Sequence, residues 1–272
     1  CKRFKDVREW FPDQLDYNKM YQFKDDTHFK KYCTNKCEDS LDKISAGCLY
    51  LLNEFFKDDS TFKMVANSNI FIIEYILIWL SYMLNLIKTQ KYDSIELFYN
   101  TYITNSGKYT NNMKYIDGYN GYKDPIDENN YILNMDMSII PKLYDAFNTL
   151  CDIYNGLNTN DSNCADYSGK ASQFVETYEK LIIDHNITED NPYSRVFLIL
   201  LIDYDNLKGR CKIFPSTPDI KKITSEVTSS SSIASKLIPI LSILVAIAIF
   251  LGISYKVNNK ELKKKLLYIC KH

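Results

Sequence analysis

An uncharged apolar run close to its end constrains this chain more than any other feature. Residues 237–255 read LIPILSILVAIAIFLGISY, 19 residues without a charged side chain. About 20 apolar residues cross the hydrocarbon core of a bilayer as one helix. A buried helix of a globular domain rarely runs this long without a polar stripe. The run therefore predicts a single transmembrane helix over residues 237–255.

The charges around this run predict its orientation. Five lysines, at positions 256, 260 and 263–265, follow the run closely, whereas only Lys236 directly precedes it. Positive side chains mark the cytoplasmic flank of a membrane helix, so we expect a cytoplasmic lysine-rich tail at 256–272 and an outward-facing remainder. Residues 1–235 carry 26 basic and 33 acidic side chains, a net charge of −7. Nucleic acid is therefore excluded as a partner, because binding to phosphates needs a clustered basic face.

A second apolar run, IFIIEYILIWLSYMLNLI at residues 70–87, is interrupted by three polar residues. Glu74, Ser81 and Asn85 are spaced seven and four residues apart, which places them on one face of a helix. A charge at membrane depth is costly. The run is therefore predicted to be a central core helix of the outer domain and not a second span.

Helical periodicity recurs through the outer portion, and Gly and Pro are scarce, at 8 and 7 residues. We predict an all-α ectodomain over residues 1–214. Its helices are expected at 41–55 with Ser40 as N-cap, at 94–102, at 140–154, at 171–182, and from Asn191-Pro192 to Lys208 with a stop at Gly209. Residues 105–125 are predicted to be an irregular loop, either a binding surface or a tolerated variable insert.

The segment after the predicted domain changes in composition. Residues 215–235 read PSTPDIKKITSEVTSSSSIAS, which is polar and poor in bulky side chains. Such a segment cannot bury a core. It predicts a Ser-rich stalk over residues 215–236, between the ectodomain and the membrane.

Seven cysteines precede the apolar run, and an outside location favours disulfides among them. These candidate disulfide cysteines are Cys1, Cys33, Cys37, Cys48, Cys151, Cys164 and Cys211. Because seven is odd, at least one is unpaired or bonds another chain, and about a hundred pairings remain open. Cys1 and Cys211 could staple the two ends of the domain, and a buried free thiol is an alternative for Cys48 and Cys151. A zinc site of His28, Cys33, Cys37 and Cys48 is a weaker alternative, since the spacings do not match usual zinc motifs.

The sequence lacks the motifs of the common catalytic and cofactor sites: GxGxxG, the Walker loop, HExxH and GxSxG. We therefore expect no enzyme activity, no cofactor, no metal and no small-molecule substrate. Asn160 in NDS and Asn186 in NIT are possible glycosylation sites.

Several segments together resemble the Plasmodium interspersed repeat (PIR) proteins, in particular the Cir/Yir/Bir variant antigens of rodent malaria parasites. They are CKRF (1–4), KYCTNKCED (31–39), ISAGCLYLLNEFF (44–56), EYILIWLSYMLN (74–85), LYDAFNTLCDIYN (143–155), FVETYEKL (174–181) and DYDNLKGRC (203–211), followed by the stalk and the span. Two features depart from the pattern: VFLILLI at 196–202 is unusually apolar, and Tyr167 stands where some members carry a cysteine.

The resemblance implies a variant surface antigen with a helical, disulfide-bonded ectodomain. It also implies a place at the infected red cell membrane or on parasite membranes, a role in immune evasion, and a host cell-surface or immune receptor as partner. The alternative is an internal membrane protein for trafficking or structural organisation, with the lysine-rich tail as its working part. A membrane-tethered enzyme is a third hypothesis, which requires a site without a recognised motif.

Overall fold

The computed structural model describes residues 1–89, 93–110, 113–116, 118–157, 163–187 and 191–217, which belong to one compact unit ending at Thr217. These ranges are helical and contain no strand, only an isolated bridge between Leu15 and Tyr21. The predicted all-α, disulfide-bonded fold is thereby confirmed for this part of the chain. No helix described here combines the length and the apolar character that crossing a bilayer requires. Most of the predicted stalk, the predicted span at 237–255 and the tail at 256–272 lie outside the described residues.

The described ranges hold ten α-helices and four shorter helical turns. The α-helices are α1 (Lys2–Trp10), α2 (Ser40–Phe56), α3 (Asp59–Met64), α4 (Ile72–Leu86), α5 (Ser94–Phe98), α6 (Gly107–Thr110), α7 (Lys123–Glu128), α8 (Ile140–Leu157), α9 (Ser168–Asp184) and α10 (Ser194–Arg210). Lys30–Tyr32, Asn130–Ile132 and Cys164–Tyr167 are 3-10 turns, and Tyr99–Thr104 continues α5 as a π-helix.

Helix α4 forms the centre of the fold, where it packs against α2 and α8. Its side chains are buried around most of its circumference, with Trp79 only 1% exposed. Tyr75 stacks on Phe147 of α8 with ring centroids 4.4 Å apart. The prediction that residues 70–87 form a core helix is confirmed.

Helix α2 begins at an aspartate and not at the predicted serine cap. The N-cap is Asp39, whose carboxylate accepts the backbone N–H of Asp42 at 2.8 Å. Ser40 is already the first helical residue, and its hydroxyl accepts the N–H of Tyr21 at 3.1 Å. A carboxylate suits this position because it also faces the positive end of the helix dipole.

Helix α10 begins later than the Asn-Pro signal predicted. The side chain of Asn191 accepts the N–H of Tyr193 at 2.8 Å and so closes a turn ahead of the helix. The helix itself starts at Ser194 and continues through Gly209 to Arg210.

The segment predicted as an irregular loop contributes to the core. In its described part, α6 and the start of α7 are helical, and the side chains of Tyr109 and Met113 are fully buried. The hydroxyl groups of Tyr109 and Ser45 lie 3.2 Å apart, which ties the segment to α2. The sequence shows no helical periodicity here, because these helical pieces are only four and six residues long.

Gly47 sets the close approach of α2 to α4. A Cβ atom at this position would lie 2.8 Å from Cη2 of Trp79 and 3.2 Å from Cδ1 of Phe11. We expect Gly47→Ala to lower the free energy of unfolding by about 1–2 kcal/mol, because overpacking outweighs the better helix propensity of alanine. Urea denaturation followed by circular dichroism measures this change.

Gly209 of α10 is the matched control. An added Cβ would meet nothing within 4 Å. Gly209→Ala is therefore expected to leave the stability unchanged or to raise it by up to about 1 kcal/mol. Equal stability of the two variants would contradict the close contact at Gly47.

Candidate functional site: disulfide framework and buried ion pair

Cys33 and Cys37 form a disulfide in the segment that precedes α2. We call residues 33–37 the clasp loop. Asp42, in the first turn of α2, is fully buried and accepts three backbone N–H groups of this loop at 2.7–2.8 Å, those of Thr34, Asn35 and Cys37. The disulfide and the carboxylate thus fix the loop against the N-terminal end of α2 from two sides.

Two further disulfides join elements that are distant in sequence. Cys1 pairs with Cys151 across 150 positions and connects the start of α1 to the middle of α8. Cys164 pairs with Cys211 across 47 positions and connects the turn before α9 to the end of α10. The suggested Cys1–Cys211 staple is therefore wrong, because each end of the domain is fastened to a neighbouring helical element.

Cys48 is the odd cysteine among the described residues. It is fully buried on α2, and burial raises the pKa of its thiol to about 12. Because the thiolate is the reactive form, this thiol is inert at neutral pH. A buried free thiol, the alternative given for Cys48, is what the structure contains. The same alternative is wrong for Cys151, which is bonded.

The residues of the zinc alternative are not brought together. Cys33 and Cys37 are bonded to each other, and Cys48 lies in the core. His28 stacks on Trp10 with ring centroids 3.9 Å apart. The carboxylate of Asp42 lies within 4.8 Å of both bonded sulfurs, but it is occupied by the three amides of the clasp loop.

The polar stripe on α4 contains a buried carboxylate, that of Glu74, for which the sequence indicated no partner. Glu74 is 0% exposed, and its Oε1 lies 2.7 Å from Nε of Arg195 on α10. Tyr131 donates a hydrogen bond to Oε2 at 3.3 Å. Beyond this contact with Arg195, Oε1 has no further hydrogen-bond partner among the residues that the structure describes. Glu74 is thus a buried carboxylate with one ion-pair partner and one long hydrogen bond.

The burial of Glu74 has a consequence for its protonation. Burial raises the pKa of this carboxyl to about 7, since the loss of hydration outweighs the attraction of Arg195 and the hydrogen bonds from Tyr131 and Arg195. The other two residues of the stripe do not share this network. Asn85 instead donates to the backbone carbonyl of Ser81, at 2.8 Å.

Of the two possible glycosylation sites, the structure describes one. Asn186 is exposed at the end of α9, in a left-handed backbone conformation with φ of 46°. Asn160 lies outside the described residues, so the structure gives no account of it.

Comparison with known proteins identifies the family. A family profile described as Plasmodium variant antigen protein Cir/Yir/Bir matches residues 1–256. The chain belongs to the Cir/Yir/Bir variant antigen family. A solved structure described as a Plasmodium PIR protein ectodomain is 31% identical in sequence to this chain. The match covers 80% of this chain and 95% of the solved chain, with a TM-score of 0.61. A search of curated proteins gave no significant match.

The two departures from the Cir/Yir/Bir pattern have physical explanations in the fold. In the apolar segment of α10, Val196, Phe197 and Leu200 are buried, so the segment supplies part of the core. Tyr167 lies directly over Gly156 of α8, where an added Cβ would collide with the tyrosine ring. A tyrosine at 167 is therefore accommodated by a glycine on the facing helix.

One surface cleft of this Cir/Yir/Bir chain, about 410 Å³ in volume, lies at the end of α4. Its charged groups include Lys88 and Asp93, which pair with each other at 3.0 Å. Glu96, Tyr99 and three asparagines also line the cleft, without a serine, cysteine or histidine. This set holds no Ser–His or Cys–His pair, so the cleft gives no support to the tethered-enzyme hypothesis.

Proposed function

We propose that this chain is a variant surface antigen that presents its helical domain outward from a membrane of the infected cell. Membership of the Cir/Yir/Bir family carries the proposal, since the family match extends over residues 1–256 and so reaches through the predicted span. The function we infer is immune evasion and host–parasite interaction, with a host cell-surface or immune receptor as the expected partner.

The disulfide framework supports the outward location. Six of the seven cysteines in the described part of the chain are paired. Disulfides persist in oxidising surroundings and are rare in a reducing cytosol. A domain closed by three such bonds suits exposure outside the reducing compartment.

The variability expected of such an antigen is compatible with this fold. The helical core contains close contacts that tolerate little change, such as Gly47 against Trp79, whereas the exposed faces of α9 carry solvated charges such as the Glu176–Lys180 pair. Substitutions on solvated faces usually change stability by less than about 0.5 kcal/mol. The surface can therefore diversify between family members while the core is kept.

Protease treatment of intact infected red cells tests this proposal. Antibodies against residues 1–214 are expected to lose surface staining after mild protease treatment, because an outward domain is accessible to the enzyme. An internal parasite protein, probed in parallel, should keep its signal and serves as the control. Unchanged staining after protease treatment would contradict surface display and favour the internal trafficking role.

A further inference from the structure

The clasp loop differs from the other two disulfides in the backbone that it encloses. Its bond spans only four positions, whereas the others span 47 and 150. Inside it, Lys36 and Cys37 both adopt left-handed conformations, with φ of 57° and 56°. Residues with a Cβ atom disfavour this region, so two in succession persist only where the surroundings hold them.

Identifiable contacts hold the clasp loop. Beyond the disulfide, the three amides bound by Asp42 hold it, and Lys108 donates to the backbone carbonyls of Tyr32 and Cys33 at 2.8 and 3.0 Å. The tip residues from Thr34 to Lys36 are exposed. Opening the disulfide therefore allows this short surface segment to relax while the helices stay packed.

We propose that the Cys33–Cys37 disulfide is a thiol-responsive switch, which a dithiol opens while Cys1–Cys151 and Cys164–Cys211 remain closed. Opening changes the clasp loop from a fixed to a mobile surface segment. The other two bonds resist, because each joins helical elements that are distant in sequence and that packing holds in place. Exposure does not distinguish the switch, since each of the three disulfides joins one half-buried and one buried cysteine; what distinguishes it is the short span and the left-handed backbone that it encloses.

The exchange is a balanced two-electron step. A thiolate of the dithiol attacks Sγ of Cys33, which is the more accessible sulfur, and Cys37 leaves with the bonding electron pair as a thiolate that takes a proton from water. The second sulfur of the dithiol then displaces Cys33 in the same way. The dithiol becomes a cyclic disulfide, and the protein gains two electrons and two protons.

The structure also provides acceptors for the two thiols that form. Sγ of Cys33 lies 3.7 Å from the carbonyl oxygen of Phe29, and Sγ of Cys37 lies 3.7 Å from that of Asp42. Each thiol can donate a weak hydrogen bond without a change in the helices.

Graded reduction of the purified full-length chain with dithiothreitol tests the switch. Samples are quenched in acid, unfolded, alkylated and digested, so that mass spectrometry reports each cysteine irrespective of burial. We expect half-opening of Cys33–Cys37 at a dithiothreitol concentration at least tenfold below that of the other two bonds, with unchanged helical circular dichroism. Opening of all three bonds together, or opening of this bond last, would overturn the proposal.

Two isosteric variants distinguish an effect on the clasp loop from a general loss of stability. Asp42→Asn loses the charge that binds three amides, so its disulfide is expected to open at about tenfold lower dithiothreitol. Asp39→Asn removes the same charge three residues away but keeps an equally good helix cap, so a change below about twofold is expected. Equal behaviour of the two variants would show that the hold of Asp42 on the loop does not control the disulfide.

Discussion

Removing the Cys1–Cys151 disulfide is expected to lower the free energy of unfolding by about 5 kcal/mol. The bond closes a stretch of 150 positions, and a cross-link of this span removes a large conformational entropy from the unfolded chain. The total stability of a domain is typically about 5–15 kcal/mol, so the double variant Cys1→Ala/Cys151→Ala should be close to unfolding at 37 °C. Thermal and urea denaturation of the two proteins measure the difference.

The clasp loop supplies the matched control for this prediction. Cys33→Ala/Cys37→Ala removes a bond across four positions, for which the same entropy relation gives about 2 kcal/mol. The order of the two effects matters more than either value. A larger loss of stability for the clasp-loop variant would contradict the role of Cys1–Cys151 as the principal covalent link of the fold.

Replacing Arg195 with leucine is expected to lower the free energy of unfolding by about 3 kcal/mol at pH 8. The change leaves the carboxyl of Glu74 buried without its counter-ion, so the folded state bears either an uncompensated charge or the cost of protonating this group at pH 8. Breaking a buried pair in this way typically costs about 3–5 kcal/mol, and the lower end applies because the side chain of Arg195 is 37% exposed. Urea denaturation at pH 8 measures the loss.

Replacing the acidic partner of the pair instead, as in Glu74→Gln, should destabilise the fold far less than Arg195→Leu. Glutamine keeps the shape and removes the buried charge, while the guanidinium of Arg195 retains access to water. At pH 8 we expect the variant to be as stable as the unsubstituted chain or more stable by up to about 3 kcal/mol, because neutralising the carboxylate removes its desolvation cost along with the ion pair. If Glu74→Gln were as damaging as Arg195→Leu, the ion pair itself would be the source of stability, contrary to our interpretation.

The raised pKa of Glu74 also predicts how stability depends on pH. Its value of about 7 in the folded chain exceeds the ordinary 4.5, so the folded state binds more protons between these two values. The contribution of Glu74 is therefore fully present below pH 4.5 and is lost as the pH rises to about 7. The stability of the unsubstituted chain relative to Glu74→Gln should fall by up to about 3 kcal/mol across this window. A constant difference between the two proteins would contradict the shift.

The helical core was largely predictable from the sequence, since its signals are local and repetitive. The stripes on α2, α8 and α9 follow the helical period, so these helices were placed to within a few residues of their ends. The ends themselves depend on competition between neighbouring caps. Asp39 is preferred over Ser40 because its carboxylate binds an amide of the first turn, and residue type alone does not decide between them.

The disulfide pattern and the buried ion pair could not be predicted, because both depend on elements far apart in sequence. Cys1 meets Cys151 only after α1 has packed on α8. Glu74 meets Arg195 across 121 positions, and a polar stripe on α4 gave no indication of a cation on α10. The location of the odd cysteine in the core likewise follows from packing, since Cys48 lies on a stripe no different from that of Cys151.

Antibody staining of residues 1–214 on intact and permeabilised infected red cells decides whether the domain faces outward. If this Cir/Yir/Bir chain is a displayed antigen, intact cells should stain, and reduction-sensitive antibodies should recognise the disulfide-bonded form there. Staining confined to permeabilised cells would place the domain inside, contradict surface display and make trafficking or structural organisation the better interpretation.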